Sequence, residues 1–105
     1  MAKEWIANRH LRGVDVERSK IDIFLRLGRP YQCGEAEWAC PVALEGLYLS
    51  LRDQHGDDSW QALVLAQSLL LQLLTHFVEH GGQLANADSN ETCDLGNLFS
   101  KGTYA

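Results

Sequence analysis

Charged side chains are missing from one long segment of this 105-residue chain, residues 59–78. Asp, Glu, Lys and Arg account for 22% of the sequence, yet none of them falls here. Turning about 100° per residue, as an α-helix does, gathers most polar side chains of the segment onto one narrow stripe. The segment therefore predicts a long helix with more apolar surface than one sheet covers. The stripe consists of Gln61, Ser68, Gln72 and Thr75, continued by Glu79.

The predicted helix spans about 59–80. Side-chain oxygens at 57–59 can cap its first turn, and the glycine pair 81–82 follows its last turn. Its borders carry leucine and valine where a solvated helix would carry charges, so we expect a second protein surface to cover them. The interface candidates are Val64, Leu65, Leu69 and Leu71 on the helix, with Phe24 on the predicted sheet.

A hydrophobic helix of this length also has the dimensions of a membrane span. Three glutamines and His76 inside the segment are costly in hydrocarbon, and no basic cluster flanks it to set an orientation. The first six residues include Lys3, Glu4 and Trp5 and show no apolar run of the signal-peptide kind. We therefore expect a cytoplasmic protein that does not bind membranes.

Basic residues are scarce overall and unevenly placed. Nine Lys and Arg against fourteen Asp and Glu give a net charge of −5. Residues 1–30 hold seven basic and four acidic side chains, whereas residues 31–105 hold two and ten. Because no basic patch with interleaved aromatics is visible, we do not expect a nucleic-acid partner. The length and the 46% hydrophobic content predict a single domain over 1–105.

Cysteine pairs with CxxC spacing are also missing. Cys33, Cys40 and Cys93 are odd in number, which favours reduced thiols, with Cys40 in the core. A cysteine nucleophile served by His10 or His55 is an alternative, although no activating neighbour is visible in the sequence. No glycine pattern that binds phosphate is present. We predict no catalytic residue, no cofactor and no metal site beyond the weak candidates that follow.

The end of the predicted helix reads HFVEH, which matches the HxxEH pattern of inverted zinc peptidases. Two imidazoles one helical turn apart can bind zinc, but those enzymes need a third ligand downstream, and 25 residues follow His80. Histidines in a last turn also interact favourably with the helix dipole. His76 and His80 are therefore weak metal candidates, and a small metal-dependent hydrolase is a lesser alternative.

Before the helix, apolar and polar residues alternate with the period of two that is typical of strands. Ile21, Ile23, Leu25 and Leu27 share one face of the clearest example. The same pattern recurs further along, where Pro41 suggests an edge or a bulge because it cannot donate to a ladder. The predicted strands span 4–12, 20–28 and 37–46, with 47–51 as an additional alternative.

Trp38, Cys40, Val42 and Leu44 are expected to face the core, leaving a mixed surface on the other side of the sheet. After the helix, residues 83–105 indicate an irregular tail, in which a weak strand near 83–92 and docking of 95–99 stay open. The fold class is thus α+β: an antiparallel sheet of three to four strands with one long helix packed across one face. The far surface would hold Phe24, Ala39, Ala43 and, as an alternative, Tyr48.

Three segments together resemble a family of small uncharacterised bacterial proteins. They read LGRP at 27–30, WACPVALEGL at 38–47 and DSWQALVLA at 58–66, and the resemblance covers about residues 4–99. It implies a stand-alone α+β domain of this size, with no established activity and hence no catalytic residue to carry over. The chain differs from the family pattern after Gly82, where a tryptophan-bearing strand is missing.

Two classes of function follow from these patterns. The apolar excess of the helix predicts a non-catalytic interaction protein, self-associating or bound to a protein partner. The uneven charge suggests an immunity-type protein that neutralises a basic toxin, because acidic chains bind basic enzymes with fast, steered association. The second class is an enzyme, the small metal-dependent hydrolase that would use His76 and His80.

Overall fold

Seven strands and two helices make up residues 4–99, the part of the chain that the computed structural model describes. Their bounds are β1 Trp5–Val14, β2 Lys20–Gly28, β3 Tyr31–Gly34, β4 Glu37–Cys40, β5 Val42–Glu45, β6 Gln54–Gly56, α1 Ser59–Glu79, β7 Gln83–Asn86 and α2 Leu95–Phe99. One antiparallel sheet has the order β5-β2-β1-β7, and a smaller one has the order β3-β4-β6. Helix α1 packs against both sheets, which confirms the predicted α+β class.

One long hairpin, formed by residues 20–34 and 37–45, contributes strands to both sheets. It passes from one sheet to the other at Gly28 and Pro41. Strand β2 pairs with β5 in the larger sheet, and beyond Pro30 the same two chain segments pair again as β3 and β4. The Gly28 amide donates to the Pro41 carbonyl at 2.8 Å. A Cβ at Gly28 would lie 2.6 Å from the Pro41 Cβ, so the close approach requires glycine. The predicted strand 37–46 is therefore real but divided at Pro41.

Helix α1 begins and ends where the sequence predicted. The Asp58 carboxylate accepts a hydrogen bond from the Gln61 amide at 2.8 Å and caps the first turn. His80 caps the last turn, and Gly81 follows in the left-handed conformation, with φ of +95°. The buried side chains recur every four residues and form the surface called here the inner ridge: Ala62, Ala66, Leu70 and Leu74.

The core lies between this inner ridge and the facing sides of the two sheets. Leu11 of β1, Ile23 of β2 and Leu44 of β5 are fully buried there, together with Cys40 and Val42 from either side of Pro41. Each fully buried leucine or isoleucine contributes roughly 1.5–3 kcal/mol relative to an exposed one. The strand faces predicted to point inward are thus the ones that do.

The smaller sheet departs from the predictions. The fourth strand predicted at 47–51 is wrong, because the chain turns at Gly46, where φ is +98°, and the Tyr48 amide bonds to the Leu44 carbonyl at 3.0 Å. Its place is taken by β6, three residues later in the chain. Strand β3, which the sequence analysis missed, completes this sheet.

Two further predictions are corrected. Ala39, expected on an exposed far face, is fully buried because it lies in register between Tyr31 of β3 and His55 of β6. The predicted irregular tail holds an ordered strand and a helix: β7 pairs with β1, and α2 packs half-buried side chains against the core. Positions 100–105 of that predicted tail, like 1–3, lie outside the described residues.

Candidate functional site: an apolar helix strip and a polar cluster

One flank of α1, between the buried inner ridge and the polar stripe, carries an exposed apolar surface. Trp60 is 76% exposed, Val64 40% and Val78 42%. Val64, Leu71 and Val78 are spaced by seven residues, and Trp60 and Gln67 occupy the intervening positions of the same heptad pattern, whose next member, Leu74, is buried in the inner ridge. This spacing is that of helices that pair side by side. The surface is called here the outer strip: Trp60, Val64, Gln67, Leu71 and Val78.

No charged side chain lies on the outer strip, although the chain as a whole has a net charge of −5. The first acidic residue of the helix is Glu79, at its last position. Like charges placed opposite each other at an interface cost several kcal/mol, about the size of a modest binding energy. The outer strip is therefore a surface on which two acidic molecules can meet without repulsion between facing side chains.

The structure separates the predicted interface residues into groups. Val64 and Leu65 are 40% exposed, and Leu71 is half-buried, whereas Leu69 packs against the core. Phe24 lies on the far face of the larger sheet, across the sheet from α1, because its neighbours in β2 point into the core. There its ring stacks on His10, with centroids 4.3 Å apart, and lies 5.2 Å from the guanidinium carbon of Arg26. Phe24 is thus not part of a surface shared with the helix.

The two histidines at the end of α1 contact each other, but the structure does not complete a metal site around them. Their ring centroids lie 4.0 Å apart, and Nδ1 of His80 donates to the backbone carbonyl of His76 at 2.9 Å. Within residues 4–99, neither belongs to a group of three side chains able to hold one ion. The hydrolase reading stays a prediction without a third ligand.

A second set of polar side chains meets on the exposed face of the smaller sheet. Cys33 of β3, Glu37 of β4 and His55 of β6 form what is called here the sheet cluster. Sγ of Cys33 lies 3.8 Å from Nδ1 of His55, and Oε1 of Glu37 lies 3.3 Å from the same nitrogen. The thiol donates to the backbone carbonyl of Glu37 at 3.6 Å. Three adjacent strands thus each supply one potential ligand.

Tyr31 and Asp53 lie beside this cluster. The Tyr31 hydroxyl donates to the Asp53 carboxylate at 2.6 Å. This bond, together with desolvation and the negative charges of Asp53 and Cys33, raises the pKa of Tyr31 to about 12. The bond joins β3 to the segment that enters β6, and so holds the outer strands of the sheet around β4.

The sequence alone suggests a cysteine nucleophile served by His55 as an alternative, without choosing among the cysteines, and indicates for Glu37 only a place in a solvated acidic loop. The spacing of Cys33, Glu37 and His55 along the chain follows no metal-binding or catalytic motif. They meet because β3 and β6 both pair with β4, and neither of those short strands was predicted. Recognition of the hairpin formed by residues 31–40 is the signal that would have placed Cys33 beside Glu37.

By length and composition, α1 is the helix within residues 4–99 that could cross a membrane. This is weak support for a span, because a helix in a protein core passes the same test, and here the inner ridge packs on two sheets. No protein-family model, no curated protein and no solved structure matches the chain. The resemblance to the small bacterial family therefore stays a prediction, and the function has to be argued from the two surfaces above.

Proposed function

We propose that the protein is a non-catalytic interaction protein that forms a homodimer through the outer strip of α1. The observation that supports this is an uncharged apolar surface with heptad spacing, on a helix whose other side already holds the core. A two-fold axis places the same patch on both subunits, so a surface without charge is complementary to itself. A strongly charged partner would find no opposite charge on it.

The size of the outer strip sets the strength expected of the dimer. A helix of 21 residues is about 31 Å long, and contact with a second helix about 10 Å wide covers roughly 300 Å² on each subunit. Stable interfaces cover about 800 Å² per partner. We therefore expect a weak dimer that forms at micromolar concentrations, with Trp60 as its strongest single contact, because tryptophans that become buried at an interface are frequent hot spots of binding.

Two neighbouring substitutions test the proposal. Leu71→Glu places a carboxylate in the centre of the outer strip, whereas Gln72→Glu adds the same charge one residue away on the polar stripe. Light scattering across a concentration series should show the wild type and Gln72→Glu rising toward twice the 11.8 kDa chain mass. Leu71→Glu should stay monomeric, with a helical circular dichroism spectrum that shows it is still folded.

Two results would overturn the dimer. One is a wild-type mass that stays at 11.8 kDa up to high micromolar concentration. The other is a dimer that Leu71→Glu leaves intact, since this would place the interface elsewhere. A monomer that instead binds neutral phospholipid vesicles through the outer strip would also contradict the proposal and identify a membrane as the occupant.

The other predicted functions keep weaker support. Arg26 pairs with Glu45 at 2.8 Å and Arg29 with Glu4 at 3.7 Å, so part of the basic N-terminal segment is neutralised within the chain. The acidic excess after residue 30 remains available to a basic toxin, and that neutraliser stays a prediction. The cytoplasmic location and the expectation of no nucleic-acid or membrane partner also stay predictions.

A further inference from the structure

We propose that Cys33, Glu37 and His55 form a binding site for a divalent transition-metal ion of the zinc class. The proposal concerns the exposed face of the smaller sheet, while the proposed dimer uses the outer strip of α1. The two surfaces are formed by different residues, so either proposal can fail while the other stands.

The two distances from His55 to the other ligand atoms are close to those that a tetrahedral ion requires. With metal bonds of about 2.3 Å to sulfur and about 2.0–2.2 Å to nitrogen and oxygen, tetrahedral angles separate S from N by about 3.6 Å and N from O by about 3.4 Å. The corresponding distances here are 3.8 Å from Cys33 Sγ to His55 Nδ1 and 3.3 Å from Glu37 Oε1 to that nitrogen. All three atoms lie within 4.8 Å of one another. An ion can enter with small side-chain rotations.

The ligand set selects the kind of ion. Sulfur and imidazole nitrogen favour Zn²⁺ and its neighbours, whereas Mg²⁺ and Ca²⁺ prefer sites built from oxygen alone. A thiolate and a carboxylate supply two negative charges, which a divalent cation neutralises while the imidazole stays neutral. The Cys33 thiol gives its proton to solvent when the metal binds. Three protein ligands leave the fourth tetrahedral position to water.

The same geometry argues against a cysteine nucleophile with a histidine base. In such a relay, the thiol and the orienting carboxylate contact different nitrogens of the imidazole ring. Here Cys33 Sγ and Glu37 Oε1 both approach Nδ1 of His55. Nδ1 cannot donate a proton to the Glu37 carboxylate and accept the thiol proton of Cys33 at the same time. All three atoms can, however, bind one metal ion together.

The backbone positions the three ligands without help from a metal. Strand β3 has an irregular register between Gln32 and Gly34, and this bulge holds Cys33 opposite the start of β4. Bulges commonly re-aim a side chain in this way. Ala39 keeps the centre of the face flat, between Tyr31 and the His55 ligand. The site is therefore largely formed before an ion arrives.

Titration of the full chain with Zn²⁺, and separately with Co²⁺, tests the site. We expect one equivalent to bind, and the Co²⁺ form should show thiolate-to-metal charge-transfer absorption in the near ultraviolet. Cys33→Ser should abolish that absorption, and His55→Gln should weaken binding by more than the 10- to 100-fold that loss of an outer-shell partner costs. Circular dichroism checks that both variants stay folded.

Matched controls use the other thiols and histidines of the chain. Cys93→Ser and the pair His76→Gln with His80→Gln should bind Zn²⁺ as the wild type does. Zn²⁺ should also protect Cys33 from alkylation, a clean readout because burial raises the pKa values of the Cys40 and Cys93 thiols and slows their reaction.

Three results would overturn the site. They are no binding at micromolar Zn²⁺, binding that Cys33→Ser leaves unchanged, and binding that disappears with the two histidines of α1. The dimer test is run with a chelator present, so that a negative result for one proposal leaves the other with its own readout.

Discussion

The two long sides of α1 are equally free of charge, yet one meets the protein's own sheets and the other meets solvent. The inner ridge is spaced by four residues and begins with Ala62 and Ala66, whose small side chains let the helix axis approach the sheets. The outer strip has the alternating four- and three-residue spacing of a heptad pattern and begins with Trp60. Side-chain size and spacing, rather than hydrophobicity, thus distinguish the side that folds the chain from the side available to a partner.

The largest expected difference between the two sides comes from truncating one leucine on each. Leu74→Ala removes a fully buried side chain and should lower the free energy of unfolding by about 2–5 kcal/mol. Leu71→Ala removes a half-buried one from the outer strip and should cost less than half as much. Urea unfolding at a concentration where the chain is monomeric measures both, and equal losses would show that the outer strip belongs to the core.

Enlarging a side chain should again cost more stability on the inner ridge than on the outer strip. Ala66→Leu forces extra atoms between α1 and the sheets and should cost about 1–3 kcal/mol of unfolding free energy. Gln67→Leu, on the exposed side, should change monomer stability by no more than about 0.5 kcal/mol. Because it completes the apolar heptad, it should also lower the dimer dissociation constant in light scattering. If the Gln67→Leu variant dimerises no better than the wild type, the outer strip is not the dimer interface.

The smallest expected effect concerns the start of the helix, which both sides share. Asp58→Ala removes the oxygen that accepts from the Gln61 amide at 2.8 Å and should cost about 1 kcal/mol. Asp57→Ala removes the same charge one residue earlier without removing the cap, and so serves as its control. Thermal unfolding should separate the two variants, and identical midpoints would mean that charge rather than capping stabilises this end.

Sequence reasoning succeeded where local pattern and tertiary burial agree. The absence of charge, the capping aspartates and the glycine pair located α1, and strict alternation located β2 over its full length. It missed β3 and β6 and left β7 open as a weak strand, because these strands are three or four residues long and take their conformation from the strands beside them. The sheet cluster could not be predicted for the same reason. Its three residues lie on one face of the smaller sheet, but their separation along the chain matches no known motif.

The connection at Gly28 and Pro41 couples the stability of the smaller sheet to that of the larger one. Because only Pro41 separates β4 from β5, only two residues separate β2 from β3, and the Gly28 amide bonds to the Pro41 carbonyl, the smaller sheet is tied closely to the larger one. Local unfolding of the smaller sheet would therefore displace the hairpin that contributes Cys40 and Val42 to the core. We therefore expect the two sheets to unfold in one cooperative transition. The backbone under the sheet cluster should then be as protected from local unfolding as the core strands are.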